Sequence, residues 1–180
     1  MYSGCSRSIS LPISPPSFAP VSYTHLADVS KEADVVRLFD ETARPLGPIT
    51  ALVNNVGIVE RQTRLDQIDA ARLQRVFSTN VFGSFLCARE AVRRMSTRYG
   101  GQGGAIVNVS SGAARIGAPN EYIDYAASKG AIDTLTLGLA KEVAEEKIRV
   151  NAVRPCLLYT SDGGLTDCGK VLVSNGFRKL

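Results

Sequence analysis

Ala105-Ile106-Val107-Asn108-Val109-Ser110-Ser111 is a short apolar run that ends in hydroxyls. A run of this length reads as a strand buried within a parallel sheet. Fourteen residues after Ser111 comes Tyr125-Ala126-Ala127-Ser128-Lys129. Its phenol and ammonium are four residues apart, so on a helix they share one face. A strand end carrying a hydroxyl, followed by a helix carrying Tyr and Lys, is the layout of a proton-transfer site. The pair alone is equally what a core Tyr beside a solvated Lys would give.

Working outward from that strand, the same alternation recurs. Ile49-Thr50-Ala51-Leu52-Val53 is a second short strand, followed by the turn Asn54-Asn55-Val56-Gly57. Ile148-Arg149-Val150-Asn151-Ala152-Val153 is a third. Ser30 is placed to cap a helix over 31–43, with Ala33, Val36, Leu38 and Phe39 facing inward and Pro45-Leu46-Gly47-Pro48 stopping it. A long helical pattern over 69–98 carries Leu73, Val76, Phe77, Val81, Phe85, Ala88, Val92 and Met95 at helical spacing, and Asn80 and Gly83 are expected to bend it. The helix with Tyr125 and Lys129 is predicted to run to about residue 145. Strands alternating with helices argue for an α/β fold whose parallel sheet is covered on both faces. Ligands then gather at the carboxyl ends of the strands, where Asn54 and Ser111 both fall.

Bulk composition bounds the remaining classes. The chain has 180 residues, 44% hydrophobic and 21% charged, with a net charge of +4. That is ordinary for one soluble domain. Arg93, Arg94 and Arg98 share one predicted helix without interleaved aromatics, which reads as a solvated or subunit-facing surface rather than a nucleic-acid footprint. No apolar run reaches membrane-spanning length, and no signal peptide is evident. Cys5, Cys87, Cys156 and Cys168 lack metal-ligand spacing, and His25 is the only histidine. Metal catalysis and a Ser-His-Asp triad are therefore poorly supported. A cytoplasmic location is expected.

Taken in order, Asp28-Val29, Asn54-Asn55-Val56-Gly57, Thr79-Asn80-Val81, Val109-Ser110-Ser111, the 125–129 motif and Arg149-Val150-Asn151-Ala152-Val153-Arg154-Pro155 resemble the short-chain dehydrogenase/reductase family. The stretch 121–137 looks most like bacterial glucose 1-dehydrogenase-like or 3-oxoacyl-carrier-protein-reductase-like members. The resemblance implies a Rossmann-like doubly wound sheet, an NAD or NADP cofactor, and an alcohol or ketone substrate. It implies a catalytic tetrad of Asn80, Ser111, Tyr125 and Lys129. Cofactor contacts are implied at Asp28, Asn54, Asn55 and Gly57, and at Tyr125 and Lys129. Homo-oligomers through the two long helices are implied as well.

On this reading Tyr125 is the acid–base group. Bringing a phenol of pKa near 10 down by about 3 units takes roughly 4 kcal/mol. An ammonium at about 4–5 Å supplies about 3–4 kcal/mol at an effective dielectric near 20. Lys129 is thus expected to lower the Tyr125 pKa and to hold the nicotinamide ribose. Ser111 would hydrogen-bond the substrate oxygen, and Asn80 would position a water that passes protons to Lys129. Tyr122, two helical turns from Lys129, is a decoy. Ordinary structural roles stand beside these: Asn54 and Asn55 as turn residues, Ser110 or Ser111 as a cap, Asn80 as a polar residue in a bent helix. Extended nucleotide-sugar epimerases and dehydratases share the Tyr and Lys, but the Asn-Asn-Val-Gly turn argues against them. A Rossmann-like module without turnover is the non-enzymatic alternative.

Two family features are missing. The Thr-Gly-x-x-x-Gly-x-Gly turn has no match before Asp28, where Gly4 is the only glycine. The strand bearing the residue that selects NAD or NADP is absent too. After Pro155, Cys156 stands where the family has Gly. Cys156-Leu157-Leu158-Tyr159-Thr160-Ser161 and Val21-Ser22-Tyr23-Thr24-His25-Leu26 are two frames of one DNA sequence, TGTCTCTTATACACATCT, similar to a transposon end used in sequencing libraries. A partial Rossmann domain over 27–155 is therefore expected, lacking the first two strands and the C-terminal strand region, with non-native flanks at 1–26 and 156–180. Resequencing the source DNA should show that element at both junctions; an uninterrupted gene encoding both hexapeptides would refute it.

Overall fold

The computed structural model describes residues 27–155. The two flanks set apart above lie outside the described residues. In chain order the elements are α1 (Glu32–Leu46), β1 (Ala51–Asn54), α2 (Ala70–Phe77), a π-helical turn (Ser78–Phe82), α3 (Gly83–Met95), β2 (Gly104–Val109), α4 (Ala113–Ile116), α5 (Ile123–Glu142) and β3 (Ile148–Val153). The three strands form one parallel sheet in the order β1-β2-β3. Leu52 pairs with Ile106, which pairs with Val150, and Asn54 pairs with Asn108.

That register puts the apolar core of all three strands on one face. Leu52, Ile106, Ile148 and Val150 are buried there with Val35 and Phe39 of α1, and with Cys87, Ala91 and Met95 of α3. Asn54 bonds α3 from this face, and Asn108 bonds Thr136 of α5. The described helices α1, α3 and α5 thus share one side. On the other, Ala51, Val53 and Arg149 are exposed. The expected parallel α/β sheet is present, and the second helical layer of a doubly wound fold is not among the described residues. Each fully buried Leu, Ile or Met on the covered face contributes on the order of 1.5–3 kcal/mol.

Local chemistry moves several boundaries. Ser30 does not cap α1: its hydroxyl donates to Asp28 Oδ1 at 2.7 Å, and Lys31 flanks the helix without a side-chain cap. Pro45 lies inside α1 rather than stopping it. The stop is Gly47, at φ 77°, whose N–H reaches the Ala43 carbonyl. Val35 and Thr42 are buried, whereas Ala33 is exposed and Val36 half-buried. The long helix is three pieces. Asp69 caps α2 by accepting the Arg72 N–H at 2.6 Å. The π turn then inserts an extra residue and rotates the packing face. Leu73 and Phe85, expected inside, are 38% and 49% exposed, while Thr79, Ser84 and Cys87 are buried. The ladder ends at Met95, short of the expected residue 98, and α5 ends at Glu142, short of residue 145.

Gly104 opens β2 where the backbones nearly touch: a Cβ there would lie 2.5 Å from the Thr50 carbonyl oxygen. Gly138, within α5, has nothing within 4 Å of the corresponding point. Substitution should therefore have opposite signs at the two positions. Gly104→Ala is expected to destabilise the fold by about 1–3 kcal/mol. Gly138→Ala should stabilise it by about 0.5–1 kcal/mol through helix propensity. Urea unfolding of both variants measures this, and equal effects would contradict the packing described.

Candidate active site

The carboxyl ends of β1 and β2 and the start of α5 converge on one buried ammonium. Lys129 is 3% exposed. Its Nζ donates to the carbonyl of Val56 at 3.0 Å and to that of Val109 at 2.8 Å. Val109 closes β2, and Val56 lies two residues beyond the end of β1. Burial pulls the Lys129 pKa down to about 8. Gly57 lets the chain cross this point, since a Cβ there would sit 3.1 Å from Nζ and 3.9 Å from Asn80 Oδ1.

Tyr125 lies one turn earlier on α5, with its ring centroid 5.8 Å from Lys129 Nζ. Its pKa is raised above the ordinary phenol range: burial pushes it up, and a hydrogen bond with Ser111 pulls only partly back. This corrects the expectation that Lys129 lowers it. The ammonium is committed to two carbonyls, and the apolar surroundings of Tyr125 dominate. Those surroundings are Ala113, Ala118 and Ala126, with Tyr122 edge-on at 6.0 Å. Tyr122 is no part of the Lys129 pair but does pack against the phenol-bearing ring.

The neighbouring serines have separate tasks. Ser110, 3% exposed, donates its hydroxyl to the Lys129 carbonyl at 3.1 Å and so braces α5. Ser111 carries the hydroxyl at the phenol, and its Oγ also accepts the Ala113 N–H at 3.1 Å. It is therefore a turn cap that also faces the Tyr125 phenol.

Asn80 sits in the π turn, fully buried. Its Oδ1 accepts the Ile58 N–H at 2.7 Å, and its Nδ2 donates to the Ile58 carbonyl at 2.9 Å and to Ser128 Oγ at 3.0 Å. Ser128 in turn donates to the Tyr125 carbonyl at 2.7 Å. Asn80 thereby clips the segment after Gly57 to the helix that bears Tyr125 and Lys129.

The remaining expected contacts are dispersed. Asn54 faces the interior, donating to the Ser84 carbonyl and to Asn108 Oδ1, and its own Oδ1 is buried without a hydrogen bond. Asn55 is exposed after β1. Asp28 belongs to the turn before α1, where its carboxylate accepts from the N–H and hydroxyl of Ser30. Among the described residues no cluster of His, Cys, Asp or Glu could hold a metal ion, and no helix is long and apolar enough to cross a membrane.

The sequence reading missed one ion pair at the site. Arg72 of α2 and Asp124, beside Tyr125, are 7% and 4% exposed. The guanidinium meets the carboxylate through two hydrogen bonds, of 2.7 and 3.0 Å. Its third contact is the Arg61 carbonyl at 2.6 Å. No spacing rule links positions so far apart in the chain; the only signal was an Asp directly before the Tyr.

The chemistry brought together is thus a half-buried phenol, a hydroxyl beside it and a buried ammonium at the ends of parallel strands. Comparison with known proteins accords with this geometry. The family described as short chain dehydrogenase matches residues 21–163. An uncharacterized oxidoreductase, YgfF, of Escherichia coli K12 is 58% identical over 134 residues, covering 74% of this chain and 54% of that protein. A glucose and ribitol dehydrogenase homolog of Oryza sativa is 39% identical over 138 residues, covering 74% of this chain and 46% of its own length. The crystal structure of 3-ketoacyl-(acyl-carrier-protein) reductase from Brucella melitensis, complexed with NADH, superposes with a TM-score of 0.69 at 34% identity, over 73% of this chain and 55% of that one. The chain spans about half the length of the curated relatives it matches. By sequence match, by sheet topology and by the residues at its strand ends, it belongs to the short chain dehydrogenase family.

Proposed function

We propose that this chain carries the acid–base half of an oxidoreductase acting on an alcohol or ketone, of sugar or 3-oxoacyl type. The observation that carries this is the convergence of Tyr125, Ser111 and Lys129 at the ends of β1 and β2. Tyr125 is the group that gives a proton to a carbonyl oxygen, or takes one from a hydroxyl. Its raised pKa suits the donor role. Ser111 orients the substrate oxygen and stabilises charge developing there. Lys129, with two of its three N–H donors held by Val56 and Val109, has one left for a ribose hydroxyl.

A nicotinamide dinucleotide, NAD or NADP, would exchange the hydride. The residues present fit one end of it: Gly57 leaves room above Lys129 that any side chain would fill. Asn80 and Ser128 keep that segment and α5 in fixed relation. For the pyrophosphate, the glycine-rich turn at a helix N-terminus has no counterpart among the described residues. That observation favours a second reading for the chain as it stands, a folded module without turnover. The flanks at 1–26 and 156–180 remain proposed as non-native. Phe82 and Phe85, 60% and 49% exposed, and Leu137 of α5, 66% exposed, support a homo-oligomer through the long helices in the parent protein.

Two arms test the functional reading. In the full-length parent, assayed with NADH and NADPH against a sugar and a 3-oxoacyl thioester, Tyr125→Phe should lower kcat by at least about a hundredfold; retained turnover would remove Tyr125 from the acid–base role. The chain itself should show no micromolar NADH binding by fluorescence titration, and saturation in that range would overturn the second reading.

Lys129 also makes a stability prediction. Its folded pKa, about 8, lies below the ordinary 10.5, so the charged form is penalised by folding. The unfolded chain holds the extra proton between those values, and stability rises with pH across that window. Tyr125, the titratable neighbour, stays neutral over most of it because its own pKa is raised. Relative to Lys129→Met, the wild type should gain about 3 kcal/mol between about pH 7 and about pH 10.5. A urea-unfolding difference that does not change with pH would contradict the buried ammonium.

A further inference from the structure

We infer that Arg72, acting through Asp124, is the positioning residue for Tyr125. The inference rests on Tyr125 being the acid–base group. It begins from an incomplete helix start. The first turn of a helix has four N–H groups without partners, usually met by a side chain at the flanking residue. In α5 that residue is Tyr122, at φ −148° and ψ 61°, and it makes no side-chain cap bond. Tyr125 is the third residue of this helix, within the turn that lacks its cap.

Asp124, the second residue of the helix and the one directly before Tyr125, ties that turn to α2 instead. A carboxylate with 4% exposure would be costly without a counterion, and Arg72 provides one with a two-pronged contact. Arg72 is anchored in turn: its own N–H is held by Asp69 at the start of α2, and its Nη1 donates to the Arg61 carbonyl. The path runs from α2 and the 61 segment, through two buried charges, to the residue directly before Tyr125. Lys129 does not depend on it, being fixed one turn later by Val56, Val109 and Ser110. The two functional groups of α5 therefore have independent supports, and the ion pair serves only the phenol.

The arrangement explains why a buried ion pair is kept where apolar residues of similar volume would stabilise the fold at least as well. An apolar pair would hold the first turn of α5 against α2 without directed bonds. Fraying of that turn would swing Tyr125 away from Ser111 while the rest of the helix stayed in place.

Amide exchange of the chain itself, with no cofactor present, tests this. Arg72→Met should speed exchange at Tyr125 and Ala126 by at least about tenfold as the first turn loses its tether, while Ile132 and Thr136 exchange as in the wild type. In the same variant the Tyr125 ring carbon resonance, assigned with Tyr125→Phe, should titrate differently from wild type as the phenol leaves its buried setting. If Arg72→Met does not fold, Arg72→Lys decides on the same readouts: it keeps the charge and loses the fork, so a smaller acceleration confined to Tyr125 and Ala126 is expected. Uniform acceleration along α5, or none, would overturn the positioning role and reduce the pair to general stability. Failure of the acid–base reading would look different: Tyr125→Phe active in the full-length parent, with the local exchange pattern intact.

Discussion

The ammonium of Lys129, held between the carbonyls of Val56 and Val109, is the interaction around which this molecule is arranged. It joins the ends of two adjacent parallel strands to the helix that crosses them. Burying a cation this deeply is unfavourable, as its low pKa shows. The surroundings compensate with backbone dipoles rather than a carboxylate. That choice has a chemical result. A carboxylate partner would neutralise the site, whereas two carbonyls leave a net positive charge beside Tyr125. Gly57 and Ser110 follow from the same constraint, one making room for the ammonium and the other bracing the backbone that carries it.

A second buried polar system holds the sheet to its helices. Asn54 and Asn108 lie side by side in the β1–β2 register, bonded to each other. Asn54 also reaches the Ser84 carbonyl of α3, and Asn108 reaches Thr136 of α5. An apolar pair would pack in several registers, whereas the amide nitrogens of this pair meet their acceptors in one. Because a slip by one residue would carry both to the opposite face, the network fixes the alignment of the strand ends above it. Site geometry and core polarity are therefore one problem, solved by few side chains.

How far the sequence could be read depended on the range of the interaction. β1 and β2 are short, mostly apolar runs, β3 alternates apolar and polar residues, both local signals, and β3 falls at 148–153 as expected. The grouping of Ser111, Tyr125 and Lys129 was legible because a strand end and a helical spacing place them. What escaped was decided by tertiary competition. Ser30 had a plausible cap role until Asp28 captured its hydroxyl. Leu73 and Phe85 fitted a helical stripe until the π turn shifted its phase. Electrostatics was the least legible layer. Four-residue spacing suggested that Lys129 tunes Tyr125, and only the buried setting shows each group shifted by desolvation first. Arg72 and Asp124 had no sequence signal in common, since their pairing exists only after α2 and α5 have met.

The parallel register carries a consequence for how the chain is made. Residue 51 pairs with residue 105, and residue 104 with residue 148. During translation β1 emerges from the ribosome long before its partner, at a rate of roughly 5–20 residues per second. For several seconds the nascent chain holds a β-prone apolar segment whose partner β2 has not yet been made. Local helices can form meanwhile, but the sheet cannot close until β2 and β3 have both left the exit tunnel. Vectorial synthesis thus exposes this topology to chaperones and to neighbouring nascent chains, a burden that a hairpin-built sheet of the same size would escape.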